Sequence, residues 1–360
     1  MKLLFIRRDN IGDLVCTTPA IRAVRETFPQ VRIGVFVNHY NADALAGNPD
    51  VDVLHVYRKA KHVPGEGRLR MYLEKAAVFR QIRREKYDVA IGCGNPSVRV
   101  ARIAFATGAR RRIGYVAPGA RSFYYNTPVP FDSEPAHEVE RTFRLLAPLG
   151  IAGTPGKMVV VAGPGESTRF RAAREAFAPG RGKPLLAVSI SARIPQNQWP
   201  EEKFVAFIEK TLEEDRLGVL LLWAPGGRDN PTYQGDDERA ARIVARFSGR
   251  ILAWPTPTVR SLIAAIAGTD MALTLDTGSL HIAAACGKPT AALMQRRKVG
   301  IWSPWGVPAE LVAAEKGDVA DLPVEAAFDA VYALARKTVL SPRAANGEAD
   351  GAHDDKMTAT

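Results

Sequence analysis

A polar turn, Asp276-Thr277-Gly278-Ser279, separates an apolar strand-like run from a helix-like run in the second half of the chain. A strand that feeds a helix through a short glycine-containing turn leaves free backbone N–H groups at the helix start. These groups and the helix dipole favour an anion such as phosphate. Asp276 stands just before them, placed to accept hydrogen bonds from hydroxyl groups. The pattern indicates a ligand that carries both phosphate and sugar.

A simpler interpretation of this turn stays open at the level of sequence. Thr277 or Ser279 would then be a helix cap, and Asp276 an ordinary turn residue. Both interpretations require the same local structure, a strand followed by a helix. They differ only in what lies at the helix start.

The residues around the turn predict the elements that position it. Residues 271–275 form an apolar strand, residues 280–286 a helix, and residues 290–294 a second apolar strand after a Gly-Lys-Pro stop. A strand, a helix and a further strand in this order are typical of a parallel sheet with right-handed crossovers.

The same alternation runs through the chain from its start, where residues 2–7 form a strand. A helix with one apolar face follows within residues 14–28, with Thr17 or Thr18 as its cap and Pro19 in its first turn. Other strands are predicted at 31–37, 51–57, 87–92, 110–115, 185–191, 218–224 and 250–254. Other helices are predicted at 70–86, 97–108, 137–151, 200–215, 236–247, 258–267 and 323–337. A basic segment, 58–69, reads as a mobile loop, and the Pro- and aromatic-rich segment 116–135 as irregular.

This series predicts two α/β domains of similar size, residues 1–165 and 184–340, joined by a linker over 166–183. Residues 341–360 are polar and predict a disordered tail. Such domains bind ligands at the carboxyl ends of their strands, so we expect two Rossmann-like domains that face each other across a cleft.

Composition narrows the class of protein. The 360 residues are 46% hydrophobic, and no run of eighteen apolar residues occurs, so no transmembrane helix is expected. The apolar start is too short for a signal peptide and is typical of a first strand. Cys16, Cys93 and Cys286 are odd in number and far apart, which favours neither a disulfide framework nor a zinc site and predicts a reducing cytoplasm.

The formal charge of +11 is unevenly distributed. Residues 1–165 hold 25 Lys and Arg against 14 Asp and Glu, whereas the rest of the chain holds 24 of each. The whole excess lies in the first half, which indicates contact with something anionic: a phosphorylated acceptor, a membrane surface or nucleic acid. A merely solubilising surface is the alternative.

Several stretches together carry a resemblance to a known family. They are IRRDNIGDLVCTTPAIRAVRETFP, RRRIGY with HEVERTFRLLAPLG, QWPEEKF, LDTGSLHIAAACGKPTAAL and WSPWG. Over most of residues 1–306 the chain resembles glycosyltransferase family 9, the ADP-heptose:lipopolysaccharide heptosyltransferases. The resemblance implies a glycosyltransferase fold of the B type, with the nucleotide sugar bound mainly by the second domain and the acceptor by the first. It implies inverting transfer of heptose from ADP-heptose to a lipopolysaccharide inner core or a related acceptor.

The resemblance also assigns roles to residues of the first turn. Inverting glycosyl transfer needs a carboxylate that takes the proton of the attacking hydroxyl. The family aspartate with that role matches Asp13, and Asp9 is the weaker alternative. Gly12 would let the backbone come close to the sugar. A cap or first-turn carboxylate is the plain alternative for Asp13.

On the donor side, the amides of Thr277, Gly278 and Ser279 are expected to stabilise the departing diphosphate. His281 would face the phosphates or be a packed structural histidine, and Asp276 would hold sugar hydroxyls. No His/Cys cluster with metal-ligand spacing occurs in the sequence, so we expect no metal and no other cofactor.

The chain departs from the family at one donor position. The family usually has a lysine two residues before the Trp of the Trp-Pro pair, and Asn197 stands there. Arg193 is expected to supply the cation instead. The departure leaves a different nucleotide sugar open. Asp237 or Glu238 would contact ribose, unless they are solvated residues at a helix start.

The acceptor surface is expected to be basic, because arginine forks suit the phosphates and carboxylates of an anionic glycolipid. The candidates are Arg58, Lys59, Lys61, Arg68, Arg70, Arg110, Arg111, Arg112 and Arg121, with Tyr124 and Tyr125 stacking on sugar faces or packing in the core. The protein would act in the cytoplasm, with possible peripheral contact to the membrane.

Two other classes of function stay open. A nucleotide-binding α/β oxidoreductase or regulatory module is disfavoured, because the first turn lacks G-x-G-x-x-G. A nucleic-acid binder is suggested only by charge, and no recognition motif supports it. We therefore expect no nucleic-acid partner.

Overall fold

The computed structural model describes residues 1–58, 68–227, 229 and 235–340, and for residues 68–72 the backbone alone. The first half forms one parallel sheet with strand order β3-β2-β1-β4-β5-β6. Its strands are β1 (Lys2–Ile6), β2 (Arg32–Asn38), β3 (Val53–Tyr57), β4 (Val89–Gly92), β5 (Arg111–Val116) and β6 (Thr127–Pro130). Helices cover both faces of such a sheet, which is why β1 reads as a continuous apolar run rather than an alternating one.

The second half repeats this plan with strand order β12-β11-β10-β7-β8-β9, again parallel throughout. Its strands are β7 (Leu185–Ser189), β8 (Gly218–Trp223), β9 (Leu252–Pro255), β10 (Met271–Leu275), β11 (Thr290–Gln295) and β12 (Ala309–Ala314). Two doubly wound parallel sheets confirm the predicted fold class.

The helices of the first half are α1 (Ile11–Val15), α2 (Thr18–Thr27), α3 (Arg68–Glu85), α4 (Val98–Ala106) and α5 (Glu138–Arg144). Those of the second half are α6 (Pro164–Ala176), α7 (Glu201–Glu214), α8 (Asp237–Phe247), α9 (Val259–Ala267), α10 (Gly278–Ala285), α11 (Val299–Trp302) and α12 (Val324–Thr338). Within the described residues, none of these helices is both long and apolar enough to cross a membrane.

The predicted cap is confirmed, because α2 begins at Thr18 with Thr17 in the N-cap position and Pro19 in the first turn. The inclusion of Leu14 in the same helix is wrong, because Leu14 belongs to the separate short helix α1. Pro19 has no N–H to donate to the carbonyl of Val15 one turn earlier. The hydroxyl of Thr18 donates to that carbonyl instead, at 2.7 Å. The break separates α1 from the longer helix and leaves it as a short element directly after the turn that follows β1.

Two strands were not predicted, and both are edge strands. β6 lies inside the segment 116–135, which the sequence describes as irregular because Pro128 and Pro130 interrupt it. Proline is tolerated at a sheet edge, where its missing N–H needs no partner. β12 has the sequence AELVAA, whose alanines and glutamate have low strand propensity. At both edges, hydrogen bonding to the neighbouring strand outweighs the low strand propensity of the local sequence.

Most of the segment predicted as a linker, 166–183, is helical, since α6 runs to Ala176. Phe170 of α6 is only 1% exposed and packs edge-on against Trp254, with ring centroids 5.2 Å apart. Arg174 pairs with Asp270 at 2.6 Å. This segment is therefore attached to the second sheet. The predicted tail, 341–360, and most of the predicted loop, 58–69, lie outside the described residues.

Replacing Phe170 by alanine is expected to lower the free energy of unfolding by about 3–5 kcal/mol, because the cavity left between α6 and the second sheet cannot collapse fully. Urea unfolding measures this change. Glu175→Ala, an exposed substitution on the same helix, should change stability by less than about 0.5 kcal/mol. Equal, small losses in both variants would show that α6 is not docked.

Candidate functional site

A cleft of about 650 Å³ lies between the two halves of the chain. Its walls are the turns that follow β1 and β2 in the first half, and those that follow β7, β8, β9, β10 and β11 in the second. This is the expected place for a ligand, at the carboxyl ends of parallel strands, and the volume suits a small molecule. The predicted site residues that line the cleft are Gly12, Asp13, Arg193, Asn197, Asp276, Thr277, Gly278, Ser279 and His281.

The start of α10 opens into this cleft, as the sequence predicts. Thr277 occupies the N-cap position with an extended backbone, but its side chain does not cap the helix; its hydroxyl bonds the hydroxyl of Ser279 at 2.8 Å. The Thr277 amide donates back to the carbonyl of Leu275, so it is not available to a ligand, contrary to expectation. No hydrogen bond within the described residues uses the amides of Gly278 and Ser279. Two of the three predicted amides therefore remain for an anion.

A lysine that the sequence reasoning missed stands beside these amides. Lys298 follows β11, and its Nζ lies 2.7 Å from Asp276 Oδ2 and 3.0 Å from Asn197 Oδ1. Asn197 is buried and donates its amide to the carbonyl oxygen of Asp276 at 2.7 Å. The sequence offered one indication of this lysine. Lys298 follows the strand next to β10, and the ends of neighbouring parallel strands lie at one edge of a sheet.

Arg193, the predicted replacement cation, has a different geometry. It is exposed, and its Nη2 donates to Asn10 Oδ1 at 3.2 Å. This hydrogen bond crosses the cleft from the second half to the first. Lys298, not Arg193, is therefore the cation held next to Asp276 and Asn197.

Asp13 lies in the first turn of α1, on the opposite wall of the cleft. Its Oδ1 accepts a hydrogen bond from Arg7 Nη2 at 2.6 Å, and its Oδ2 accepts two from the backbone and side-chain amides of Asn10, both at 3.1 Å. Burial alone would raise the pKa of Asp13, but the charge of Arg7 and the hydrogen bonds from Asn10 and Arg7 outweigh it and lower the pKa. Asp13 is ionised at neutral pH. Asp13 also forms a capping box with Asn10 at the start of α1. Its contacts with Asn10 are therefore those of the helix-cap alternative.

Arg7 holds the acidic wall together. Its guanidinium is 1% exposed, and Nη2 contacts both Asp13 and Glu138, at 2.6 and 2.8 Å. Asp9 is more distant, 3.5 Å from Nε, and is half exposed. Burial lowers the pKa of Arg7, yet the surrounding carboxylates raise it beyond its ordinary value, so Arg7 stays charged. Glu138, far away in sequence, is a further member of this cluster that the sequence did not reveal.

His281 packs between the two halves. Its Nδ1 lies 3.4 Å from Cys16 Sγ, and its ring meets Trp302 edge-on at 5.7 Å. A Cβ atom on Gly12 would lie 2.4 Å from the His281 ring, so Gly12 is required for this contact rather than for an approach to a sugar. Burial lowers the pKa of His281 to about 4, and the imidazole is neutral at neutral pH. These contacts agree with the second alternative from the sequence, a packed structural histidine.

Asp237 begins α8 and is tied to its neighbours. Its carboxylate accepts hydrogen bonds from the Trp223 indole at 2.7 Å and from the amide of Gly226 at 2.8 Å. Trp223 lines the cleft, whereas Asp237 and Glu238 are not among the described residues that do. Asp237 therefore supports the wall of the cleft from behind.

The basic residues predicted for the acceptor are not among the described residues that line the cleft. Arg111 donates to the carbonyl of Pro148, and Arg112 to those of Tyr124 and Ala109. Arg58, Arg110 and Arg121 are exposed on the surface of the first half. Lys59 and Lys61 lie outside the described residues, as do the side chains of Arg68 and Arg70.

The two predicted stacking tyrosines do not reach the cleft either. Tyr125 is buried, and its ring fills the space over Gly92 and Gly114. Tyr124 packs against Phe105. The first-half residues that do line the cleft, besides the turn after β1, are His39, Tyr40 and Asp43.

No group of three or more His, Cys, Asp or Glu side chains in the described part of the chain is arranged to hold a metal ion. Independence from metal remains a prediction for the reaction itself.

The sequence model of Glycosyltransferase family 9 (heptosyltransferase) matches residues 75–331 of the chain. Lipopolysaccharide heptosyltransferase 3 from Escherichia coli is 24% identical over 320 residues, which cover 87% of this chain and 88% of that protein.

Two solved structures share the fold. The glycosyl transferase family 9 protein from Veillonella parvula DSM 2008 has a TM-score of 0.79 at 17% identity and covers 94% of this chain and 98% of its own. The E. coli ADP-heptose lps heptosyltransferase II has a TM-score of 0.73 at 19% identity, with coverages of 94% and 99%. At these identities the structural likeness establishes the fold, while the family match extends over well more than half of the chain.

Replacing Arg7 by methionine is expected to lower the free energy of unfolding by about 3–5 kcal/mol at neutral pH, because Asp13 and Glu138 stay buried without their shared cation. In the wild type the lowered pKa of Asp13 contributes stability above its unfolded pKa, and this is lost only as the pH falls through the folded pKa. In the variant the Asp13 carboxyl keeps the burial that raises its pKa and loses the cation that lowers it, so protonation of Asp13 relieves part of the penalty. The difference between the proteins should shrink from about pH 7 to about pH 5, measured by urea unfolding.

The double variant Arg7→Met/Glu138→Gln is the control for this experiment. It removes one of the two buried carboxylates that lack a counter-charge. It should therefore recover part of the lost free energy of unfolding at neutral pH. His281 titrates in all three proteins and cancels in the differences. A loss that is the same at both pH values would contradict the proposed charge cluster.

Proposed function

Because the chain belongs to glycosyltransferase family 9, we propose that this glycosyltransferase moves heptose from ADP-heptose to a lipopolysaccharide inner-core or related acceptor, with inversion at the anomeric carbon. The names of its relatives, lipopolysaccharide heptosyltransferase 3 and ADP-heptose lps heptosyltransferase II, support this choice of substrates. The observation that carries the proposal is the pairing, in one cleft, of an anion site at α10 with the ionised Asp13. Another nucleotide sugar or another acceptor of the same family is the alternative.

The donor diphosphate would bind at the start of α10. Its negative charge grows as the bond to the sugar breaks, and fixed donors aimed at that charge lower the barrier. The unused amides of Gly278 and Ser279 and the ammonium of Lys298 suit this role. Asp276 has one carboxylate oxygen on Lys298, which leaves the other for sugar hydroxyls.

Lys298 replaces the lysine that the family resemblance implies at the position of Asn197. The Lys298 ammonium lies within hydrogen-bond distance of the Asn197 side chain, so a cation is present almost where a lysine at 197 would bring one. The cation thus comes from the end of β11 rather than from the turn after β7. We expect binding of the donor diphosphate to depend on the Lys298 ammonium as well as on the Gly278 and Ser279 amides.

The nucleoside would extend from the diphosphate along the wall between β8 and α9. Trp223, Pro225 and Leu262 offer apolar surface there for a base, and Thr256 and Thr258 lie beside them. The Asp237 carboxylate fixes the Trp223 ring from behind. This part of the cleft would act by shape and stacking.

Asp13 would take the proton in the transfer step. The acceptor oxygen attacks the anomeric carbon, the bond from that carbon to the diphosphate oxygen breaks, and the electron pair leaves with ADP. The hydroxyl proton passes to the Asp13 carboxylate. Its lowered pKa keeps the base fully ionised at neutral pH, and the hydroxyl becomes acidic only as the new bond forms. His39, Tyr40 and Asp43 line the cleft on this side and would orient the acceptor.

The reaction would take place in the cytoplasm, where we expect the donor, and at the surface of a membrane that anchors a lipid-linked acceptor. Neither the nucleotide nor the diphosphate calls for a metal in this arrangement, because amides and a lysine carry the charge. Added chelator should therefore leave turnover unchanged.

Asp13→Asn should reduce turnover by about 10²–10⁴-fold, the usual contribution of a general base, with little change in donor affinity. The assay follows acceptor-dependent release of ADP from ADP-heptose. Asp9→Asn is the matched control, since Asp9 also contacts Arg7 but is half exposed. If Asp13→Asn retains turnover within a few-fold, Asp13 is not the base.

Lys298→Gln should weaken binding of ADP-heptose by roughly 10–100-fold, the value of a charge-assisted hydrogen bond to phosphate. Calorimetry measures the affinity. Arg296→Gln serves as control, because Arg296 stands on the same turn but pairs with Glu315 at the surface. The swap Asn197→Lys/Lys298→Gln should restore binding, since it returns a cation to the same place. Wild-type affinity in the single variant would refute this role.

A further inference from the structure

The exposed side of α4 and the turn before β6 form one surface that the proposed reaction does not use. We call it the α4 face. Phe123 at its tip is 81% exposed, Val98 is 64% exposed and Phe105 is 45% exposed. Large apolar side chains clustered in this way on a surface mark a contact site. The α4 face consists of Val98, Arg99, Arg102, Phe105, Arg112, Arg121, Phe123 and Tyr124.

The aromatic rings of this face hold each other in place. Phe105 lies 5.8 Å from both Phe123 and Tyr124, and Phe123 lies 5.5 Å from Tyr124, between ring centroids. Arg112 stacks over Phe105 at 5.3 Å. Arg102 stacks over Tyr124 and donates to its hydroxyl at 3.1 Å. The face is therefore a preformed cluster in which guanidinium groups flank apolar rings.

The charge of this region is entirely positive. Residues 89–131 contain six arginines and no Asp or Glu: Arg99, Arg102, Arg110, Arg111, Arg112 and Arg121. None of them forms an ion pair within the described part of the chain. Four of the six, Arg99, Arg102, Arg112 and Arg121, belong to the α4 face, whereas the Arg111 side chain donates to the carbonyl of Pro148, after α5.

The α4 face continues toward the cleft. α4 begins after the turn that follows β4, the strand next to β1, so Arg99 lies at the same carboxyl edge of the first sheet as the cleft-lining turn after β1. Phe105 and Phe123 lie at the other end of α4. A partner bound to the α4 face would therefore cover the side of the first half from Phe123 to Arg99, toward the cleft.

We propose that the α4 face docks on an anionic phospholipid bilayer, with Phe123 and Phe105 inserted at the level of the headgroups and the arginines paired with lipid phosphates. Aromatic rings at headgroup depth, flanked by basic side chains, are what such an interface favours. The complementary charge and the absence of acidic residues argue for this partner over another protein. The inference rests on the proposed function in one respect, because a lipid-linked acceptor would then reach the cleft from the same surface.

Flotation of the full chain with vesicles tests the proposal. The protein should float with phosphatidylcholine vesicles that contain phosphatidylglycerol, and stay behind with phosphatidylcholine alone. The triple variant Arg99→Gln/Arg102→Gln/Arg121→Gln should weaken binding by about 100-fold, at roughly five-fold for each arginine near an anionic surface. Phe123→Ser should weaken it about ten-fold, and Phe123→Trp should retain it.

The matched control is Arg171→Gln/Arg181→Gln/Arg216→Gln, three exposed arginines of the second half. It has the same net charge as the test variant and should bind like the wild type. Equal weakening in both triples would show that total charge, not the α4 face, binds the membrane. Binding only when the vesicles carry lipopolysaccharide, or retention on single-stranded DNA in place of vesicles, would also overturn the proposal.

Activity separates this inference from the proposed function. Phe123→Ser should retain ADP-heptose affinity and turnover on a delipidated acceptor, and lose turnover only on acceptor embedded in vesicles. Vesicle binding without any heptose transfer would contradict the proposed function and leave the docking surface intact. Heptose transfer without vesicle binding would contradict the docking surface and leave the proposed function intact.

Discussion

The cleft depends on the close approach of two helix starts, that of α1 in the first half and that of α10 in the second. The contact has no room for a side chain at Gly12, where a Cβ atom would lie 2.4 Å from the His281 ring. Both helices follow central strands, β1 and β10, so their starts open at the carboxyl ends of the two sheets. Their approach brings the Asp13 carboxylate and the unused amides of Gly278 and Ser279 to the walls of one cleft.

Opposite charges stand on the two walls, and each is held by a counter-charge. On the first, buried Arg7 keeps Asp13 ionised while Glu138 shares the same guanidinium nitrogen. On the second, Asp276 and Asn197 fix the ammonium of Lys298 next to the start of α10. A leaving diphosphate would gain negative charge at the second wall while a proton arrives at the first. If Asp13 is the base and the start of α10 binds the diphosphate, both charges would be stabilised by groups already in place before the reaction.

The fold, and the positions of the cleft residues that follow β1 and β10, could be predicted from local patterns in the sequence. Alternating strands and helices predict both sheets, and the glycine turn before α10 predicts the anion site, because each depends on residues close together in the chain. The exceptions depend on distant pairing. The edge strands β6 and β12 form only against their neighbours, and Lys298 reaches Asp276 only because β10 and β11 are adjacent. Glu138 likewise joins Arg7 through the packing of α5, which no spacing in the sequence records. The acceptor arginines were predicted from charge alone, which gives no position.

A crystal structure of the protein with an ADP-heptose analogue that cannot be transferred is the most direct test of this account. We expect diphosphate oxygens within hydrogen-bond distance of the Gly278 and Ser279 amides and of Lys298 Nζ. The anomeric carbon should face Asp13 across a gap that one hydroxyl group fills. A diphosphate bound away from the start of α10, or a sugar whose anomeric carbon faces away from Asp13, would contradict it.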